Sequence, residues 1–275
     1  MLQNKNAVIY GAGGSLGGTV AKALARAGAH VFLTGRTLGP LEKIAGEIRS
    51  AGGKAAVALV DALDEIAITN HLNEVLQQAG TVDISFNATA TKVVQNIPLV
   101  NMTVNDFIDP ITNMMRTRFM TAVAAGKIMM QQSSGVILSL TATPGGIGYP
   151  YTGGFAPACT AIETLSQNLA SELGVYGVRV VNMRSGGSPD SQVFKDAISN
   201  DPQGMELVLN KMKADTMLKK MPLMADIANV AVFLSSDMAA GITGVTIDVT
   251  CGTTAALNYR VSALTNARNS QTLAS

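Results

Sequence analysis

Apolar residues in this chain follow two patterns that alternate along its length. Short runs rich in Val, Ile and Ala fall at 7–10, 31–33, 55–60, 82–86, 136–140, 178–183 and 245–249. Between them, apolar positions recur at helical spacing. Leu16, Val20, Ala21, Leu24, Ala25 and Ala27 form one such stripe, which stops at Gly28. Leu41, Ile44, Ala45 and Ile48 form a second over 38–50, and Ile66, Ala67, Leu72, Val75 and Leu76 a third over 66–78. Further helices are predicted over 104–130, with a break near Pro110, over 155–176 and over 227–234. Buried strands alternating with amphipathic helices predict a largely parallel sheet covered on both faces. The fold class is therefore α/β: one doubly wound Rossmann-type domain over 1–275, with about seven strands. Residues 188–222 break the periodicity with Pro189, Pro202, Gly204 and Pro222 and read as a mobile lid. The polar tail, 263–275, is expected to fray.

The first strand runs into Tyr10-Gly11-Ala12-Gly13-Gly14-Ser15-Leu16-Gly17-Gly18, and the first helical stripe follows at once. In that context each glycine has a mechanical use. Gly11 turns the chain off the strand, Gly13 and Gly14 leave room for another molecule, and Gly17 lets helix and sheet approach. Exposed N–H groups at a helix start, backed by the helix dipole, suit a pyrophosphate. Ligands of such sheets bind at the carboxyl ends of the strands, where the strand order reverses.

Composition narrows the remaining choices. The chain is 47% hydrophobic and 14% charged, with a net charge of +1 and no basic block, which argues for a large core and against nucleic acid as a partner. Cys159 and Cys251 are too few for a disulfide framework, and no metal-ligating constellation is present. With no signal peptide and no apolar stretch long enough for a bilayer, a cytoplasmic protein without membrane contact is expected.

Several segments, in order and at matching spacing from about Lys5 to about Ala256, resemble the classical short-chain dehydrogenase/reductase family. The glycine turn stands for TGxxxGxG, with Tyr10 for Thr and Ser15 for the middle Gly. Val60-Asp61-Ala62 stands where an Asp contacts adenine. Asp83 to Ala90 stands for DxxxNNAG and keeps Asn87. Val178-Arg179-Val180 with Ser185-Gly186 matches IRVN…PG, and Ile242-Thr243-Gly244 with Val249 to Gly252 matches ITG…VDGG. The resemblance implies a dinucleotide held by Gly11, Gly14, Ser15, Leu16, Gly17, Asp61, Asn87 and Gly186. Users of NAD in this family carry an acidic residue at the end of the second strand. Gly35 stands there and Arg36 follows, which favours the 2′-phosphate of NADP(H) over NAD(H).

The same resemblance implies a catalytic Asn, Ser, Tyr and Lys. The Tyr exchanges the hydroxyl proton, the Lys charge lowers its pKa, the Ser polarises the carbonyl and the Asn supports a proton-carrying water. Those positions fall on Met114, Ala142, Phe155 and Cys159. None offers the required proton or charge, so the family's carbonyl reduction is unsupported by these side chains. Thr143, Tyr149 and Tyr151 are weak substitutes, and Cys159 reads as a small core residue. Met114, Met115, Met120, Met129 and Met130 read as core or subunit interface. Two functions follow. One is an oxidoreductase on an unknown small-molecule carbonyl, alcohol or enone. The other is a non-catalytic structural or regulatory subunit. The family associates through the two long helices, so a homo-oligomer (dimer or tetramer) or a pairing with an active relative is expected.

Overall fold

The computed structural model describes residues 1–255; the expected fraying at 263–275 lies outside them. Strand β1 (Asn6–Tyr10) leads through the glycine turn to α1 (Ser15–Arg26). Then follow β2 (His30–Gly35), α2 (Leu38–Ser50), β3 (Lys54–Leu59), α3 (Glu65–Ala79) and β4 (Ile84–Asn87). The second half holds α4 (Val104–Gln132), β5 (Gly135–Ala142), α5 (Phe155–Leu173), β6 (Val178–Ser185), α6 (Gln192–Asn200), α7 (Pro202–Asp215), α8 (Met224–Ser235) and β7 (Thr246–Val249). The seven strands form one sheet in the order β3-β2-β1-β4-β5-β6-β7, and every pairing is parallel.

Two cores sandwich that sheet. On one face Ile9, Val31, Leu33, Leu138 and Val181 meet Val20 and Leu24 of α1, Leu41 of α2, and Ile227 and Ala231 of α8. On the other, Val8, Phe32, Ile137 and Val180 meet Ile68 and Leu72 of α3, Ala125 and Met129 of α4, and Leu169 of α5. Alternate residues of one strand, such as Val8 and Ile9, thus serve opposite cores, as the two-residue period requires. Each fully buried Leu or Ile contributes about 1.5–3 kcal/mol of transfer free energy, so the paired cores fix the register.

The chain winds outward from β1 to β3, then crosses back to lay β4 against the other side of β1. The switch point, and the crevice it opens, therefore lies beyond the carboxyl ends of β1 and β4.

Two expectations need correction. Helix α4 passes through Pro110 unbroken. Proline's φ is already helical, so the helix continues there at the loss of one N–H hydrogen bond; buried Pro110 and Met114 on either side of that turn tie it to the interior. Residues 188–222 are also more regular than their prolines suggest. Pro202 occupies the first position of α7, where an N–H would be unsatisfied anyway, and Asp201 caps it by accepting from Gly204 N at 2.9 Å. This segment docks on the glycine turn: Gln192 N donates to Ser15 Oγ at 3.0 Å.

Candidate functional site: a nucleotide cleft beside a closed apolar cluster

A cleft of about 550 Å³ opens at the switch point. Its walls come from the glycine turn, the ends of β2 and β3, the segment after β4, and α4. Gly11 has φ +78°, and a Cβ there would come within 2.9 Å of the Ala88 backbone, so β1 and β4 close on each other only through glycine. A Cβ on Gly17 would overlap the Gly11 carbonyl oxygen. The turn is anchored by Gly11 N and Ala12 N, which donate to Thr34 O at 3.1 and 3.0 Å.

Helix α1 starts without a side-chain cap. Its N-cap is Gly14, and its first turn holds no acidic residue. By contrast Asp64 caps α3, accepting from Ile66 N at 2.9 Å and Ala67 N at 3.0 Å. The α1 terminus thus keeps its positive dipole end uncompensated, as an anion site requires.

The expected cofactor residues do not all reach this cleft. Gly11, Gly14, Arg36 and Asp61 line it. Arg36 is exposed at the end of β2, and Asp61 accepts from Leu63 N at 3.0 Å. Asn87 is buried and structural in its contacts. Its amide nitrogen donates to Thr121 Oγ1 at 2.9 Å and Thr117 O at 3.2 Å, and its oxygen accepts from Thr89 N at 2.9 Å and Thr89 Oγ1 at 2.7 Å. It therefore clamps α4 to the end of β4. Ser15, Leu16 and Gly17 shape the start of α1, and Gly186 N pairs with Val249 O at 3.0 Å beyond β6.

The four positions matched to family catalysis do converge. Met114 and Cys159, with Ala158 and Ile162, form a buried cluster against which Ala142, Phe155, Ile111 and Met115 pack. Burial pushes the Cys159 thiol up to about 11, so it stays protonated at neutral pH. No side chain of this cluster offers a hydroxyl, carboxyl or ammonium group.

The substitute donors are placed elsewhere. Thr143 lies in a 3-10 turn after β5 and gives its hydroxyl to Ser185 O at 3.2 Å. Tyr149 and Tyr151 are 42% and 55% exposed on the loop before α5. Tyr151 has φ +62°, and α5 begins only at Phe155, so Tyr151 is not a helical neighbour of that residue. Beneath the loop, Glu163 of α5 accepts from Thr141 Oγ1 at 2.9 Å and pairs with Arg184, which also pairs with Asp248 at 3.0 Å. This network ties β5, β6, β7 and α5 together.

Among the cleft residues that sequence reasoning missed are Lys92 and Arg118. Arg118 lines the cleft yet is 4% exposed. Its spacing held the signal: a cation at i+4 from Met114 falls on the buried stripe of α4. Among the described residues there is no grouping of His, Cys, Asp and Glu fit for a metal ion, and no helix long and apolar enough to cross a membrane.

Comparison with known proteins agrees with this geometry. The family model described as enoyl-(acyl carrier protein) reductase matches residues 11–254. A 3-oxoacyl-(acyl-carrier-protein) reductase of Staphylococcus epidermidis is 28% identical over 255 residues, covering 90% of this chain and 98% of that one. A 3alpha-hydroxysteroid dehydrogenase of Mediterraneibacter gnavus is 28% identical over 251 residues, covering 90% and 96%. A gluconate 5-dehydrogenase from Burkholderia cenocepacia, solved with NADP and tartrate, superposes with a TM-score of 0.83 at 21% identity, over 93% of this chain and 97% of that one. With its seven-stranded parallel sheet, its glycine turn at the switch point and these matches over most of its length, the chain belongs to the classical short-chain dehydrogenase/reductase family of oxidoreductases.

Proposed function

We propose that this chain binds NADP(H) in the cleft between β1 and β4 and does not carry out the family's tyrosine–lysine proton transfer. One observation carries this reading. Met114, Ala142, Phe155 and Cys159 pack as one apolar cluster beside a cleft that keeps its open helix terminus. Reduction of a carbonyl delivers hydride to carbon and leaves an alkoxide that must take a proton. Phe155 has none to give, and Cys159 supplies no cation to stabilise a donor. Loss of a positioned acid costs about 10²–10⁴ in rate. The product is then a nucleotide-binding subunit, associating through α4 and α5 with itself or with an active relative. A cytoplasmic location belongs to the same proposal.

The preference for NADP(H) rests on Arg36 beside Gly35, with no carboxylate there to meet a ribose 2′-hydroxyl. Calorimetric titration of NADPH and NADH tests it. Arg36→Ala is expected to weaken NADPH about tenfold or more, the scale of a lost charged hydrogen bond, and to leave NADH nearly unchanged. Equal losses refute the assignment.

A second reading, an oxidoreductase on a ketone, alcohol or activated alkene, is favoured by the names of the matching family model and relatives. Here the proton would come from Tyr149, Tyr151, Thr143, water or the substrate. NADPH oxidation across a carbonyl and enone panel, abolished by Tyr149→Phe or Tyr151→Phe, would establish this reading and displace the first.

A further inference from the structure

Arg118 is a buried cation without a counter-charge. It is 4% exposed, and among the described residues it makes no ion pair. Both of its hydrogen bonds leave from Nη1, to Thr89 Oγ1 at 2.7 Å and to Thr117 Oγ1 at 3.1 Å. These hydroxyls fix where the guanidinium points but do not neutralise it. Nε is buried with no partner. Taking a guanidinium out of water costs several kcal/mol unless charge and hydrogen bonds are supplied. Burial lowers its pKa to about 10, still protonated at neutral pH.

The surroundings say what would supply them. Arg118 lines the same cleft as the glycine turn. So does Tyr10, whose hydroxyl is also buried without a partner. Arg118 of α4 and Tyr10 of β1 thus both line this space, and each carries a buried donor without a partner. The charged side chains lining that space are Arg36, Lys92 and Arg118 against one carboxylate, Asp61, which already accepts from Leu63 N. The cleft is electropositive, and its unmet needs are those of donors.

We propose that Arg118 is an anion-anchoring residue of the cleft, aimed by Thr89 and Thr117 and completed by a phosphate of the bound dinucleotide. This rests on the reading that the cleft takes a dinucleotide. A guanidinium held through Nη1 keeps its other edge free, and the fork of N–H groups suits phosphate oxygens. The cation is one that no acidic residue of the described chain balances, so ligand-free protein carries the desolvation cost and ligand relieves it.

The test is calorimetric titration of NADPH, ADP and adenosine into the wild-type chain and Arg118→Met, with melting temperatures of the ligand-free proteins. NADPH and ADP are expected to weaken about tenfold or more, as for a lost charged hydrogen bond, while adenosine, which has no phosphate, changes less than about twofold. Ligand-free Arg118→Met is expected to melt at or above the wild type, because an unpaired buried charge has been replaced by a shorter, unbranched apolar chain. Unchanged ADP and NADPH affinities overturn the proposal, as does an equal loss for adenosine or a lower melting temperature. If Arg118→Met does not fold, Arg118→Gln, which keeps donors for Thr89 and Thr117, is judged by the same affinity ratios. Failure of both to fold makes the guanidinium a structural group and also overturns the proposal. Wild-type protein that binds neither NADPH, NADH nor ADP refutes the dinucleotide reading first, and this one with it.

Discussion

At the ends of β1 and β4 the chain leaves an open cleft edged by backbone N–H groups, Arg36, Asp61 and Arg118. Next to it, between α4 and α5, the positions that match family catalysis close into Met114, Ala142, Phe155 and Cys159. The two regions share a wall: Met114 lines the cleft and belongs to the cluster, one turn before Arg118 on α4. One side holds an open helix terminus and basic side chains, and the other is an apolar cluster without a hydroxyl, carboxyl or ammonium group. On the reading proposed above, binding and turnover are separable properties of this fold. The first is built from backbone and glycines. The second needs a few side chains that a packed apolar set can replace without leaving a buried charge.

The contrast breaks most sharply at the turn. Gly17→Ala would set a Cβ against the Gly11 carbonyl. It is expected to abolish dinucleotide binding in calorimetry, with a lowered melting temperature, whereas wild-type values for both would show that the turn is not held as described. On the closed side, Cys159→Lys together with Phe155→Tyr restores family residue types. The ammonium then enters an apolar cluster near the cations Arg118 and Arg184, with the neighbouring Glu163 already paired to Arg184, at a cost of about 3–5 kcal/mol. A loss of stability in urea unfolding without gain of NADPH oxidation is expected. A stable, active double variant would mean that the cluster opens readily into a working site.

The smallest effect concerns the thiols. Cys159 is fully buried and Cys251 is not, so iodoacetamide is expected to label Cys251 first and Cys159 only on unfolding. The Cys159 thiol is raised from 9.0 to about 11 in the folded protein. A group whose folded pKa lies above its unfolded value stabilises fully below the unfolded value and loses that contribution as pH rises. Stability should therefore decline between pH 9 and 11, and Cys159→Ala should flatten this part of the profile. An unchanged slope would place the thiol nearer to water than the cluster implies.

The nucleotide half of the cleft was mostly legible in the sequence because its signal is local. Glycines within one turn, flanked by a strand and a helix, define a conformation by themselves, and the helix over Leu38–Ser50 followed from its apolar spacing alone. Where the reading erred, a local rule met a non-local contact. Pro110 reads as a break, but the buried stripe of α4 carries the helix through it. Prolines over 188–222 read as irregular, but one of them opens α7. Asn87 and Ser15, expected at the dinucleotide, also carry contacts within the chain that the sequence did not show. The structure commits Asn87 to Thr89, Thr117 and Thr121, and Ser15 Oγ to Gln192.

By itself the sequence determined the alternation of strands and helices, the glycine turn and the absence of an acid at the end of β2, and it put Met114, Ala142, Phe155 and Cys159 forward as the positions expected to carry family catalysis. Each is a matter of residue type and spacing within one or two elements. Only the tertiary structure decided that Met114, Ala142, Phe155 and Cys159 form a single apolar cluster and that Arg118 is buried at the cleft without a counter-charge. Those facts depend on which faces of α4 and α5 meet the ends of β4 and β5. Packing of both cores against one twisted sheet sets that choice, and no local pattern encodes it.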